Sequence, residues 1–364
     1  MRKLKELARK FSSFDGNYDI DALGQGNIND TFLLRSCVSP FILQCINGRV
    51  FPQPQKVAEN SAYVAAHVAD FYGDFESKKF CRIIPALDGK NYVTAVDDTI
   101  WRAQTYIENS TVYQSINSEK TGFQVGDCLA KFHAAVEQLG GDSLEVTLPG
   151  FHFLPGYLAV FDDVLLKTER ALSHTAKQLI MEVEKHRQRC TFFEDARRHG
   201  YVSQRIIHGD PKVSNILFSR VTNKALSMID LDTVGPGFLL HDIGDCLRSV
   251  SCCYGESGHD KKSSCSIPLI SSVLRGYFSS NQLTDFEIDS LFYALYLITF
   301  ELGLRFLTDY LQNNCYFRVA YPEENLHRAM VQFNLVKSIV TQRSAIEKSV
   351  RKIVKNSNQP GRRK

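Results

Sequence analysis

No apolar run in this 364-residue chain approaches the roughly 20 residues that a membrane-spanning helix needs, and no signal-peptide core follows the charges of the opening MRKLKELARK. Charge of one sign is also scarce. The 43 basic and 40 acidic residues leave a net +3, which gives no reason to expect nucleic acid or a membrane surface as a partner. Ten cysteines are present but scattered, and the 44% hydrophobic content can build a core without covalent staples, so reduced thiols are expected and a secreted disulfide scaffold is not. The nearest approach to a metal motif, Cys252, Cys253 and Cys265 around His259, lacks paired C-x-x-C spacing and reads as a loop with incidental cysteines. Internal repeats and low-complexity linkers are missing as well. The expected location is the cytoplasm.

The composition that remains suits a soluble globular chain long enough for two lobes. YDIDALGQGNINDTFLL carries Gly24 and Gly26 ahead of an apolar run, and SPFILQCIN supplies the second arm of a hairpin after Ser39 and Pro40. PQKVAENSAYVAAHVADF is helical in pattern, whereas FCRIIPAL, NYVTAV and TIWRAQTYIE are strand-like. From Thr121 onward Val125, Leu129, Phe132, Val136 and Leu139 recur at i+4 and i+3, which marks the core face of a helix. VFDDVLLKTERALSHTAKQLIMEVEKHRQRC is expected to continue as helix, and further helices run from about Ile267 nearly to the end. The fold class is therefore α+β, with a small β-rich N-lobe over residues 1–107 and a larger, mainly helical C-lobe over 108–350. Tyr106 to Asn109 crosses the cleft between them, where a ligand is expected. The basic ends read as an amphipathic surface helix and, over 351–364, as a helix end with a disordered tail.

Two stretches deliver polar groups straight off apolar runs: IIHGDPKVSNILFS over residues 206–219, and LSMIDLDTVGPG soon after. Asp210 and Asn215 share one short loop and Asp230 comes from the next strand, so an amide oxygen and a carboxylate can converge on a hard divalent cation. Magnesium fits that donor set better than zinc. Asp210 is placed to accept a proton from a substrate hydroxyl, and Lys212 to neutralise charge on a transferring phosphoryl group. His208 reads as a loop-stabilising residue and Gly209 as relief for a tight backbone. D-x-K-x-x-N is the spacing of the protein-kinase catalytic loop, with I-D in place of the D-F-G aspartate.

HGDPKVSNILF together with MIDLDTVGPGFLLHDIGDCLRS resembles the aminoglycoside phosphotransferase and choline kinase superfamily, which has a protein-kinase-like fold. The resemblance is closest to its N-acetylhexosamine 1-kinase branch, matched by Asp230 to Val234, by Pro236 and Gly237, by the Asp242 and Asp245 pair, and by GQGNINDTF, FILQCIN and GLRFLTDYLQNNCYF. It implies transfer of the γ-phosphoryl group of ATP, with Mg2+, to a sugar hydroxyl, above all the anomeric hydroxyl of an N-acetylhexosamine. Asp210 would be the base, Lys212 the γ-phosphate partner, and Asn215 and Asp230 the metal ligands. Gly24, Gly26, Asn29, Thr31, Gln44, Tyr106 and Ile107 would surround the nucleotide; Arg305, Tyr316 and Phe317, with Asp210 and Asp230, would surround the sugar. Asp232, Asp242 and Asp245 take loop-ordering roles, with Arg248 as a pairing partner for one of them.

Gln44 stands where most kinase-like enzymes carry the strand lysine that holds nucleotide phosphates, a substitution the resembling branch tolerates. Cys45 stands where that branch often has a basic residue. Without the resemblance, Arg305 in FELGLRFLTDYL would read as a solvated or salt-bridged face with Asp309 four residues on. Choline or another small alcohol is the alternative acceptor, although Arg305 argues against a cation in that pocket. A nucleotide-binding pseudokinase module is the alternative of another class.

Overall fold

The structure, a computed structural model, describes residues 2–11, 18–23, 28–36, 40–77, 80–140, 143–251 and 264–357. A short helix, α1 (Arg2–Ala8), precedes strands β1 (Tyr18–Ala22), β2 (Asp30–Ser36) and β3 (Phe41–Ile46); helix α2 (Pro54–Ser77) is followed by β4 (Ile83–Ile84), β5 (Val93–Thr94) and β6 (Ile100–Thr105). These strands form one antiparallel sheet in the order β1-β2-β3-β6-β4, with β5 also paired to β6. Strand periodicity sorts its residues by face. Phe41, Leu43, Trp101 and Ala103 bury against Leu7, Ala8 and Phe11, so the N-terminal helix contributes to a core and does not merely float on the surface. Ile46 and Ile100 point the other way and pack with Val57 and Ala58 of α2. Gln44 and Arg102, being in phase with Ile46 and Ile100, are thereby directed to the face that meets α2.

The C-lobe begins with β7 (Ser110–Thr111) and α3 (Glu119–Val136), followed by α4 (Leu154–Lys167), α5 (His174–His186) and α6 (Phe192–Arg198). Four short strands, β8 (Arg205–Ile207), β9 (Ile216–Ser219), β10 (Ala225–Met228) and β11 (Gly235–Gly237), interrupt the helices and carry the two polar motifs between them. Helices then complete the lobe: α7 (Leu239–Ser251), α8 (Ile267–Ser280), α9 (Asp285–Asp289), α10 (Leu291–Leu311), α11 (Glu324–Thr341) and α12 (Arg343–Ser357). The β7 strand pairs with β9, which pins the interlobe crossing directly to the catalytic-loop sheet. Val125, Leu129, Phe132, Val136 and Leu139 are all buried, as their spacing requires.

Three sequence expectations need correction. The helix expected to continue through residues 160–190 is broken at 168–173: Thr168 turns its hydroxyl to the Leu311 carbonyl at 3.2 Å, and Ser173 caps the next helix by accepting from the Ala176 amide at 3.1 Å. The expected tail starts later than residue 351, because α12 continues to Ser357 with Ile353 buried; residues 358–364 lie outside the described chain. Although its sequence is interrupted by Glu301, Arg305 and Asp309, α10 has the length and composition of a membrane span, yet it runs through the C-lobe core with 83% of its apolar window buried. The described cysteines carry free thiols, and the Cys252, Cys253 and His259 loop lies outside the described residues.

Helices α3 and α8 approach so closely that a Cβ on Gly126 would lie 1.9 Å from the Val273 carbonyl, and one on Gly276 2.0 Å from that of Phe123. Gly126→Ala should therefore destabilise the fold by about 1–3 kcal/mol through overpacking, seen as a lowered Tm. An unchanged Tm would mean that the helices can part at no cost.

Candidate active site

The catalytic loop is built around a buried carboxylate. Asp242, fully buried on the first turn of α7, accepts the His208 amide at 2.7 Å and the Gly209 amide at 2.8 Å, and His133 on α3 donates to it at 2.9 Å. Burial pushes its pKa up, but the His133 hydrogen bond and the neighbouring imidazoles outweigh that and leave it below the ordinary carboxylate range. His208 is fully buried too, with Nε2–H donating to the Ile229 carbonyl at 2.9 Å and Nδ1 accepting the Asp210 amide at 3.3 Å. Burial lowers its pKa, in keeping with this neutral tautomer and with a loop-stabilising role. Gly209 has φ +85°, and a Cβ there would sit 2.7 Å from the Thr233 carbonyl; only glycine fits.

This scaffold presents Asp210. Its Oδ2 receives Lys212 Nζ at 2.6 Å and Asn215 Nδ2 at 3.0 Å, and the same Asn215 nitrogen bonds the Asp210 carbonyl at 2.9 Å. Because those partners are acceptors, the Asn215 amide must face them with its nitrogen, which leaves its Oδ1 as the free-facing donor atom for a hard cation. Burial raises the Asp210 pKa, but the charge and hydrogen bond of Lys212 more than offset it, and the group stays below its ordinary value. With 31% of its side chain exposed, Asp210 remains reachable by a substrate.

Asp230 adopts a left-handed backbone, φ +65°, at the start of the turn after β10. Burial, followed by the Asp232 charge, pushes its carboxyl up to about 7. A carboxyl raised in this way, on the residue after Ile229, whose amide donates to the Asn215 backbone carbonyl at 2.9 Å, suits a divalent cation of the magnesium type. Asp232 faces the N-lobe, where Asn29 donates to it at 2.6 Å and Arg102 forms a buried ion pair.

The residues expected around the nucleotide are arranged less directly. Gly24 and Gly26 lie outside the described residues. Thr31, Gln44 and Arg102 form one rung across β2, β3 and β6: Gln44 donates to Thr31 at 3.0 Å and accepts from Arg102 Nε at 3.0 Å and Nη2 at 2.6 Å. Asn29 is buried and spans Asp232 and the Asn47 amide, so it joins the lobes. Tyr106 and Ile107 are half-buried at the crossing, where Ser110 bonds the Ile107 carbonyl.

On the opposite wall, Arg305 lies within a box of four rings, its guanidinium 5.1–5.7 Å from the centroids of Phe151, Tyr157, Tyr316 and Phe317. Burial disfavours its charge, but Tyr157, Tyr316, Glu301 and Asp210 together hold it more firmly protonated than usual. Arg305 thus meets Tyr316 and Phe317 as the resemblance implied, and its ion partner is Glu301 at 3.8 Å. Asp309, the partner that bare sequence spacing suggested, instead accepts the amides of Tyr316 at 2.8 Å and Phe317 at 2.9 Å and so fixes the aromatic segment. Phe317 is mostly core, its ring tilted against that of Phe306 with centroids 4.7 Å apart.

Comparison with known proteins follows the same lines. The family model described as phosphotransferase enzyme family, APH, matches residues 19–254. The chain belongs to that family. Among similar solved structures, an aminoglycoside phosphotransferase from Alicyclobacillus acidocaldarius shares 15% identity at TM-score 0.63, covering 96% of each chain. A choline kinase from Cryptosporidium parvum shares 12% at TM-score 0.60, covering 94% of each chain. A spectinomycin phosphotransferase in complex with ADP and spectinomycin shares 13% at TM-score 0.56, covering 94% of this chain and 98% of that one. The fold is the protein-kinase-like one of these phosphotransferases, and the family supports an enzyme of kinase type acting on small molecules.

Several groups that surround the candidate site have no distinct signal in the sequence. Phe151 and Tyr157 come from FHFLPGY, an aromatic-rich run that could have been noticed, whereas Arg102 sits in an otherwise ordinary strand. His152 is the least obvious. Its Nδ1 lies 3.0 Å from Glu301 Oε1 and its Nε2 2.7 Å from the Gly209 carbonyl, and since both partners are acceptors both ring nitrogens must carry protons. Burial opposes that charge, but Glu301 and the Gly209 carbonyl outweigh it and raise the pKa above its ordinary 6.5. A raised folded-state pKa stabilises the fold fully below the unfolded value and loses that contribution as pH climbs through the folded one. The gap in Tm between wild type and His152→Asn should thus narrow as pH rises above about 6.5. A gap independent of pH would mean that the ring is neutral.

Proposed function

We propose that this phosphotransferase moves the γ-phosphoryl group of ATP to a hydroxyl of an uncharged sugar. An N-acetylhexosamine is the best match, and its anomeric hydroxyl would yield the sugar 1-phosphate. The observation that carries the reading is the aromatic box already filled by Arg305. A choline or aminoglycoside ammonium would need that cage, or a spare carboxylate beside it, yet the cage holds a fixed guanidinium and the two acidic groups of the wall, Glu301 and Asp309, serve His152 and the Tyr316 and Phe317 amides. A guanidinium instead suits hydroxyl and acetamide oxygens, with a ring face against the apolar side of a sugar. The motif resemblance supports the hexosamine and the anomeric position.

Asp210 orients the acceptor hydroxyl and takes its proton. Held anionic by Lys212, it is a weak base, which suits a loose phosphoryl-transfer transition state in which the proton leaves late and positioning supplies most of the catalysis. Lys212 supplies positive charge where the phosphoryl group passes. Asn215 and Asp230 would hold Mg2+, which supplies neutralisation of the nucleotide phosphates when bound. The ADP of the spectinomycin enzyme supports a nucleotide donor, and ATP fits the cytoplasmic setting expected from the sequence.

Asp210→Asn keeps the shape of the base and loses its proton affinity, so turnover should fall by roughly 100-fold or more while ATP binding changes little. Near-normal turnover would remove Asp210 from the mechanism. In an ADP-release screen with ATP and magnesium over N-acetylglucosamine, N-acetylgalactosamine, their parent hexoses and choline, turnover is expected with an N-acetylhexosamine. Arg305→Ala should then raise the sugar KM by roughly tenfold with the ATP KM little changed. Phosphorylation of choline and of no sugar would overturn the proposal.

A further inference from the structure

Kinase-like enzymes ordinarily place a lysine on the third strand and pair it with a glutamate from the N-lobe helix, and both must be in place for phosphoryl transfer. This chain has Gln44 at the lysine position, and the N-lobe helix α2 offers Ser61 in place of a carboxylate. The cation is one strand away. Arg102 on β6 stands directly across from Gln44, is completely buried, and distributes its guanidinium over three elements: Gln44 on β3, Ser61 on α2 at 2.9 Å, and the Asp232 carboxylate from the C-lobe turn that begins with Asp230. Ser61 extends the link by donating to the Leu231 carbonyl at 3.3 Å, and Asn29 holds the other Asp232 oxygen at 2.6 Å.

We propose that Arg102 is a positioning residue that replaces the strand lysine, with Asp232 replacing the helix glutamate, so that an ion pair normally confined to the N-lobe becomes a clasp between the lobes. Its effect on the reaction runs through Asp232 to the Asp230 turn, and through Gln44 to the β2–β3 hairpin above the nucleotide. Burial decides against a direct phosphate contact, because no ligand can reach a guanidinium enclosed on every side by the chain's own acceptors. The planar fork matters because it spreads its donors over Nε, Nη1 and Nη2 to reach Gln44, Ser61 and Asp232, whereas the three N–H groups of an ammonium leave from a single point. A clasp made entirely of protein groups also holds without nucleotide, whereas a lysine answering to phosphates does not.

The test moves the charge back along the rung, and rests on the phosphotransferase reading only in using Mg·ATP as the probe. Gln44→Lys sets a second cation against Arg102 and deletes its acceptor, so the Mg·ATP Kd by calorimetry should rise roughly 10–100-fold, as for loss of a group that orients a ligand-binding one. Arg102→Lys, which keeps Asp232 paired and should fold even if Arg102→Gln does not, should weaken Mg·ATP binding in the same direction. The double variant Gln44→Lys with Arg102→Gln restores one cation and one amide to the rung and should bind Mg·ATP more tightly than Gln44→Lys alone. Tighter Mg·ATP binding by Gln44→Lys alone, or Arg102→Lys with a lowered Tm but unchanged Kd, would overturn the clasp. Wild type that binds no Mg·ATP would instead refute the nucleotide reading itself.

Discussion

The site depends first on the burial of Asp242. Taking a carboxylate out of water costs several kcal/mol unless its lone pairs are met, and here three N–H groups meet them, two from consecutive amides of the catalytic loop and one from His133. The dependence is mutual: without the carboxylate those two amides would be buried and unsatisfied. A left-handed Gly209 can follow His208 only because both amides aim at one acceptor, and that turn carries Asp210 to the cleft. The polar density of the motif is therefore largely self-referential, with one exposed group supported by several hidden ones.

A second support comes from α10. Glu301, Arg305 and Asp309 repeat at i+4 on a helix that is otherwise core, which gathers them toward one face. Each holds a different part of the site: Glu301 braces His152 under the Gly209 carbonyl, Arg305 fills the aromatic box, and Asp309 fixes the amides of Tyr316 and Phe317. Because Glu301 also faces Arg305, the guanidinium is linked to the Gly209 carbonyl of the catalytic loop through two residues, Glu301 and His152. Acceptor wall and reacting group are thus carried by one rigid element.

Much of this was legible because local chemistry leaves local patterns. The heptad-like stripe of α3, the alternation in FILQCI and the D-x-K-x-x-N spacing each reflect a contact made within a few residues, and the two-lobe architecture follows from them. Arg102 left no such mark: a buried arginine is decided by Asp232, 130 residues away, and nothing in WRAQT announces it. The break between α4 and α5 leaves no local signal because Thr168 finds its partner in Leu311, far along the chain. The resemblance places Asn29, Thr31 and Gln44 around the nucleotide, but it does not reveal that Gln44 also bonds Thr31 and Arg102, or Asn29 the opposite lobe, because those partners are distant in the chain. The Arg305–Asp309 pairing that spacing alone offers does not form, because i+4 spacing cannot weigh an ion pair against two backbone amides.

A guanidinium fixed in an aromatic box is proposed to select a neutral, oxygen-rich acceptor for transfer at Asp210. Isothermal titration of the Asp210→Asn protein, saturated with magnesium and a non-hydrolysable ATP analogue, measures acceptor binding free of turnover. A saturable isotherm with N-acetylglucosamine or N-acetylgalactosamine, lost in Arg305→Ala and absent with choline, is the expected result; saturable binding of choline with none of the sugars would contradict it.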